Sequence, residues 1–119
     1  MLEQIKAEAI ADYPFEAVWL VTVVGARKVK NIAEYPLSTF KVSRSDMAAA
    51  TKDGLLSIVH SHPDYPQCPS AADMRGQIAS DVPWGIVSTD GNACTDIAWF
   101  GNTVERLPLI GRPFRHGIT

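Results

Sequence analysis

Cysteine is scarce: Cys68 and Cys94 are the only two in 119 residues. They form neither a C-x-x-C pair nor a disulfide-dense pattern, which favours a reducing compartment. An excess of one charge is also lacking. Lys and Arg number 11 against 13 Asp and Glu, a formal net charge of -2, so no broad basic face awaits a phosphate backbone and no nucleic-acid partner is expected. Long apolar runs are missing too. The longest, Ala17 to Ala26, falls far short of the roughly 20 residues a spanning helix needs, so no membrane span is expected. The N-terminus mixes Glu3, Lys6, Glu8, Asp12 and Glu16 into its apolar residues, which excludes the apolar stretch of a secretory signal peptide. Internal repeats and low-complexity tracts are absent. What remains is a soluble chain, 46% hydrophobic, long enough for one core and too short for two.

Leu2, Ile5, Ala9 and Ile10 recur at helical spacing and stop before Pro14, so residues 2–12 read as an amphipathic helix. The run from Ala17 to Val24 is β-branched and aromatic and ends at Gly25, the pattern of a central strand covered on both faces. Two further strands are expected at 27–33 and 38–42, separated by Glu34-Tyr35-Pro36. A short helix capped by Ser45 and Asp46 should run to Lys52 and end at Gly54. Leu55 to His60 is another buried strand, leading into a loop, SHPDYPQCPS, stiffened by three prolines. A helix from Ser70 to about Ser80, a strand over 84–88, a turn at 89–92 and a returning strand over 94–100 complete an α-β-β-β-α-β-α-β-β order. Residues 102–119 carry Pro108, Gly111, Pro113 and Gly117 without periodicity and read as a linker or arm.

One set of residues carries chemistry. Catalytic zinc takes three protein ligands and leaves a fourth position for water. In an extended segment residues i and i+2 project to one side, so His60 and His62 at a strand end can aim at one point. Asp73, on the first turn of the helix that starts at Ser70, supplies a third ligand. Bound water still needs a base to collect its proton. Glu16, at the mouth of an apolar strand, would be partly desolvated and thereby tuned toward neutral pH. Ser70 can donate to the oxyanion of a tetrahedral intermediate.

Singly, each part has an ordinary structural use. An H-x-H pair can be two partly exposed polar residues, Ser70-x-x-Asp73 is a good helix start, and Glu16 could be a solvated carboxylate. Cys68 reads as a loop residue, since a fourth protein ligand would close the site, and His116 as an ordinary histidine. A metallo-β-lactamase-like H-x-H-x-D-H site fails because Asp64 is followed by Tyr65 and His116 is the one histidine left. An amidohydrolase barrel needs about 250 residues.

Together, Glu16, His60-Ser61-His62-Pro63 and Ser70-x-x-Asp73 resemble the JAMM (MPN-type) zinc metalloprotease family, at every position of its glutamate and H-[ST]-H-x(7)-S-x-x-D pattern, with Pro63 first of the seven. The resemblance covers residues 1–101. It implies an α/β (α+β) fold, a cytidine-deaminase-like sandwich with a curved mixed sheet flanked by helices. It also implies Zn²⁺ held by His60, His62 and Asp73, with Glu16 as general base and Ser70 supporting the oxyanion. Bacterial relatives follow the glutamate with a Cys-Gly pair, whereas here Glu16-Ala17 is followed by Val18-Trp19. A bulky Trp19 either reshapes the cleft floor or points into the core.

The closing segment PLIGRPFRHGIT resembles the stretch that leads into an NlpC-type cysteine peptidase in phage tail assembly proteins, where a JAMM domain comes first. The expected organisation is therefore a metallopeptidase domain over 1–101 and an arm over 102–119 leading toward a cysteine peptidase beyond Thr119. The expected activity is hydrolysis of a peptide or isopeptide bond in a peptide or protein substrate, during phage or prophage tail assembly or in cell-wall peptide cleavage. Tail proteins would be partners, and the location the host cytoplasm or the virion tail. The rival is a non-catalytic scaffold module of the same fold in tail-tip assembly.

Overall fold

The structure is a computed structural model that describes residues 1–101 and the two-residue strand at 112–113. The arm expected over 102–119 otherwise lies outside the described residues. The elements are α1 (Leu2–Asp12), β1 (Val18–Thr22), β2 (Gly25–Val29), α2 (Arg44–Lys52), β3 (Leu55–Pro63), α3 (Ala71–Ser80), β4 (Trp84–Thr89), β5 (Ala98–Phe100) and β6 (Arg112–Pro113). The strands form one mixed sheet in the order β2-β1-β3-β4-β5-β6.

Among the described residues only the β3–β4 and β5–β6 pairs are parallel. Parallel neighbours cannot be joined by a tight turn, and α3 supplies the crossover from β3 to β4. The expected mixed sheet with flanking helices is present. All five residues of β1 are buried, as an apolar run with no polar alternation requires.

Alternation along the strands divides the core in two. On one face Ile5 and Ala9 of α1 pack with Trp19, Val21, Val59, Val87 and Trp99. On the other, Val18, Leu20, Ile58, Trp84, Ile86 and Phe100 pack with Ala50 of α2. Trp19 belongs to the α1 side, is fully buried, and donates its indole N–H to Glu8 Oε1 at 2.9 Å. The departure at Trp19 is therefore resolved in favour of the core, where losing its side chain would cost about 3–5 kcal/mol.

Several expectations change. The strand expected at 38–42 does not join the sheet, because an asparagine side chain replaces a ladder. Asn31 Oδ1 accepts from Lys41 N–H at 3.0 Å and its Nδ2 donates to Thr39 O at 3.0 Å. β1 stops at Thr22, and Val23 and Val24 stand 72% and 79% exposed at the hairpin tip. Turn geometry outweighs strand propensity there: Thr22 Oγ1 accepts from Val24 N–H, and Gly25 follows at φ 143, a conformation glycine tolerates best. The cap of α2 is Ser43, whose Oγ accepts from Asp46 N–H, two residues before the expected Ser45. β3 runs three residues past His60, to Pro63, since β4 pairs beside it through Pro63↔Thr89. β5 is shorter than expected, with a single bridge, Thr89↔Cys94, ahead of it.

Candidate metal centre

Period-two alternation puts His60 and His62 on the same face of β3 as Ile58, away from α1. The chain then turns over the proline loop and enters α3 at Ser70. There a capping box forms: Ser70 Oγ accepts from Asp73 N–H at 3.0 Å and Ser70 N–H donates to Asp73 Oδ2 at 3.0 Å. That reciprocal pair fixes the rotamer that aims the Asp73 carboxylate back at β3.

The three residues converge. His60 Nε2 and His62 Nε2 are 3.1 Å apart, His60 Nε2 lies 3.1 Å from Asp73 Oδ1, and His62 Nε2 lies 3.1 Å from Asp73 Oδ2. All three are buried. Ligands 2.0–2.1 Å from a tetrahedral zinc stand about 3.3 Å from one another, so a cation fits this triangle with little adjustment. The tautomer of His62 also fits. Its Nδ1 lies 2.7 Å from Pro66 O, a carbonyl that only accepts, so in the neutral ring Nδ1 carries the proton and Nε2 keeps its lone pair.

His60 lacks such support. Its Nδ1 is buried with no hydrogen-bond partner among the described residues, and the Phe40 ring lies against the imidazole with centroids 4.6 Å apart. Packing orients this ring where hydrogen bonding orients the other.

Burial penalises the Asp73 carboxylate, but the hydrogen bonds from His60 and His62 outweigh it and hold the group well below the ordinary carboxylate range. Burial pulls His60 down. It pulls His62 down too, but the Asp73 and Pro66 hydrogen bonds more than offset it, leaving that ring raised. Glu16, 5% exposed, is pushed up to about 7, chiefly by burial; His62 lowers it and Asp73 raises it. Glu16, His62, Asp73, the exposed Ser70 and the exposed Cys68 line one cavity.

The backbone around Glu16 is held on several sides. Glu16 N–H donates to Pro36 O at 2.8 Å, Asn31 Nδ2 donates to Glu16 O at 2.9 Å, and Ser61 Oγ accepts from Ala17 N–H at 2.8 Å. Ser61, between the two histidines, thereby clips the glutamate strand to the histidine strand. Asn31 uses its full capacity: besides Glu16 and Thr39 it accepts from Ala33 N–H and Lys41 N–H. Sequence reasoning missed Asn31, Ser61, Phe40 and the Pro66 carbonyl. An asparagine beside the expected turn at 34–36 was the one visible hint. Asn31→Asp removes both donors, and urea unfolding should show a loss of about 1–3 kcal/mol, the cost of stranding polar groups; an unshifted midpoint would show that the four bonds are dispensable.

A mixed sheet with a His-x-His strand, a capped helix bringing an aspartate to it and a desolvated glutamate beside them define a JAB-type α+β domain. Residues 1–100 match the family described as prokaryotic homologs of the JAB domain, and the chain belongs to that family. It is 36% identical over 118 residues to tail tip assembly protein K of Escherichia phage N15; the match takes in 95% of this chain and 47% of that protein. The chain thus spans about half the length of that relative. A solution structure of a Desulfitobacterium hafniense protein superposes with a TM-score of 0.60 at 28% identity, covering 72% of this chain and 68% of that one. One from Salinibacter ruber gives 0.56 at 24% identity over 97% and 89%, a likeness of fold alone.

Proposed function

We propose that the chain is a zinc-dependent metallopeptidase that hydrolyses a peptide or isopeptide bond. The observation that carries this reading is the triangle of His60, His62 and Asp73 donor atoms at 3.1 Å, sharing a cavity with a glutamate poised at about 7. Zinc held there would supply the positive charge that acidifies water and polarises a carbonyl. His60, His62 and Asp73 would hold it. Glu16 takes a proton from the attacking water and returns it to the leaving amine, a role that needs a pKa near the working pH. Ser70 Oγ accepts from Asp73 N–H, which leaves its own hydroxyl proton free to donate toward the cavity and the developing oxyanion.

The likeness to a tail tip assembly protein supports a place in phage tail assembly, with tail proteins as partners and the host cytoplasm or virion tail as the location. Among the described residues no helix is long and apolar enough to cross a membrane. The same likeness favours a second reading, a non-catalytic scaffold module of this fold. Elemental analysis tests the peptidase reading: protein purified without added metal should carry, or take up on titration, about one equivalent of zinc. Less than about a tenth of an equivalent, with no uptake, would sink the peptidase reading.

A further inference from the structure

The cavity that holds the metal-site residues continues well past them. Its volume is about 690 Å³, within the roughly 300–1,000 Å³ of pockets that enclose small ligands. Beyond Glu16, His62 and Asp73 its wall is largely apolar, with Phe40, Val42, Met47, Ile58 and Trp84 among the lining residues. Outside the metal-site residues Lys41 is the one charged lining residue among those described, and it is exposed.

The shape of this space is built in. Ala72, Gly76 and Ala79 line it from α3, and their i, i+4, i+7 spacing sets them on one helix face. A Cβ on Gly76 would come within 2.4 Å of the Trp84 ring, so α3 already rests on the indole and cannot move inward. Trp84 is pinned to the same helix by its Nε1, which donates to Ser80 Oγ at 2.9 Å. On either side of that contact Ala72 and Ala79, both exposed, are too small to fill the space between helix and sheet.

We propose that this space is a side-chain pocket for a bulky apolar residue next to the scissile bond, so that the substrate is a protein segment carrying such a residue. The proposal rests on the peptidase reading of the metal centre. A glycine in this position leaves the pocket unfilled. An acidic side chain, as in a cell-wall stem peptide, loses its water to a largely apolar wall whose one cation outside the metal-site residues, Lys41, is exposed. A phenylalanine or leucine gains the transfer of its whole side chain from water.

The test uses the full chain as its zinc-loaded Glu16→Gln variant, which binds without turnover. The probes are three blocked pentapeptides, four glycines around a central Phe, Gly or Asp, titrated calorimetrically. The Phe peptide should bind at least about tenfold more tightly than the other two. Filling the pocket by Ala79→Leu or Ala72→Phe should remove that preference. Equal binding of the three peptides, or a Phe preference that survives both fillings, overturns the proposal. A Phe preference that the fillings abolish, in a chain whose wild type cleaves none of the peptides, retains the pocket and removes the peptidase reading.

Discussion

Replacing Glu16 with Gln is expected to leave zinc uptake at the wild-type level and to lower peptide-bond hydrolysis by about 10²-fold or more, the range of general-base loss. Gln has the same shape and keeps hydrogen-bonding atoms, but it cannot hold a proton and pass it on. Glu16 is outside the His60, His62, Asp73 triangle, so metal content and rate should separate. Parallel assays of zinc stoichiometry and peptidase rate check this, and an unaltered rate would refute the assignment.

The same substitution has a signature in the metal-stripped protein. Burial raises the Glu16 carboxyl from 4.5 to about 7 in the folded chain. Between those values the folded state binds more protons than the unfolded one, so this group's contribution to stability is full below about 4.5 and is lost as pH rises to 7. Thermal melts in a chelator should show wild type losing ground to Glu16→Gln across that window. At roughly 4–8 °C per kcal/mol the change is measurable for a domain near this size.

Asp73→Ala should have the other large effect, and in two currencies at once. The carboxylate faces both histidines and also accepts from Ser70 N–H to close the α3 capping box. Its removal should abolish zinc retention and also loosen the start of the helix, by about 1 kcal/mol for a lost cap. Asp73→Asn tells the contributions apart, since an amide oxygen still accepts from Ser70 N–H while the negative charge is gone. Zinc affinity should fall in both variants, by 10-fold or more on the scale of about 1.4 kcal/mol per decade; only the alanine variant should also lose helix-start stability in metal-free melts. Retention of full zinc affinity by Asp73→Ala would remove the residue from the ligand set.

Much of this was legible in the sequence because it is local. The periodicity of α1, the apolar runs of β1 and β3 and the Ser70-x-x-Asp73 helix start each declare themselves within a dozen residues, and the i, i+2 rule alone placed His60 and His62 on one side. What stayed hidden depends on partners distant in the chain. Residues 38–42 have strand composition, yet Asn31 takes their backbone groups into a side-chain network. The extension of β3 to Pro63 depends on β4, whose pairing partner there is Thr89. Nothing near His60 in the sequence announces Phe40 as the ring that packs on it, and a backbone carbonyl such as that of Pro66 has no residue-type signature at all. The side to which Trp19 turns follows from alternation only once the pairing of Val18 with His60 is known.

That pairing has a consequence for how the gene can change. Since β1 residues alternate between the α1 core and the cleft side, one codon gained or lost between Glu16 and Val21 would exchange the two sets. Trp19 would then be driven toward the histidines and Ala17, next to the glutamate, pulled off its Ser61 clip. Substitutions in this stretch are graded in their cost, but changes of length from the glutamate into the strand are all or none.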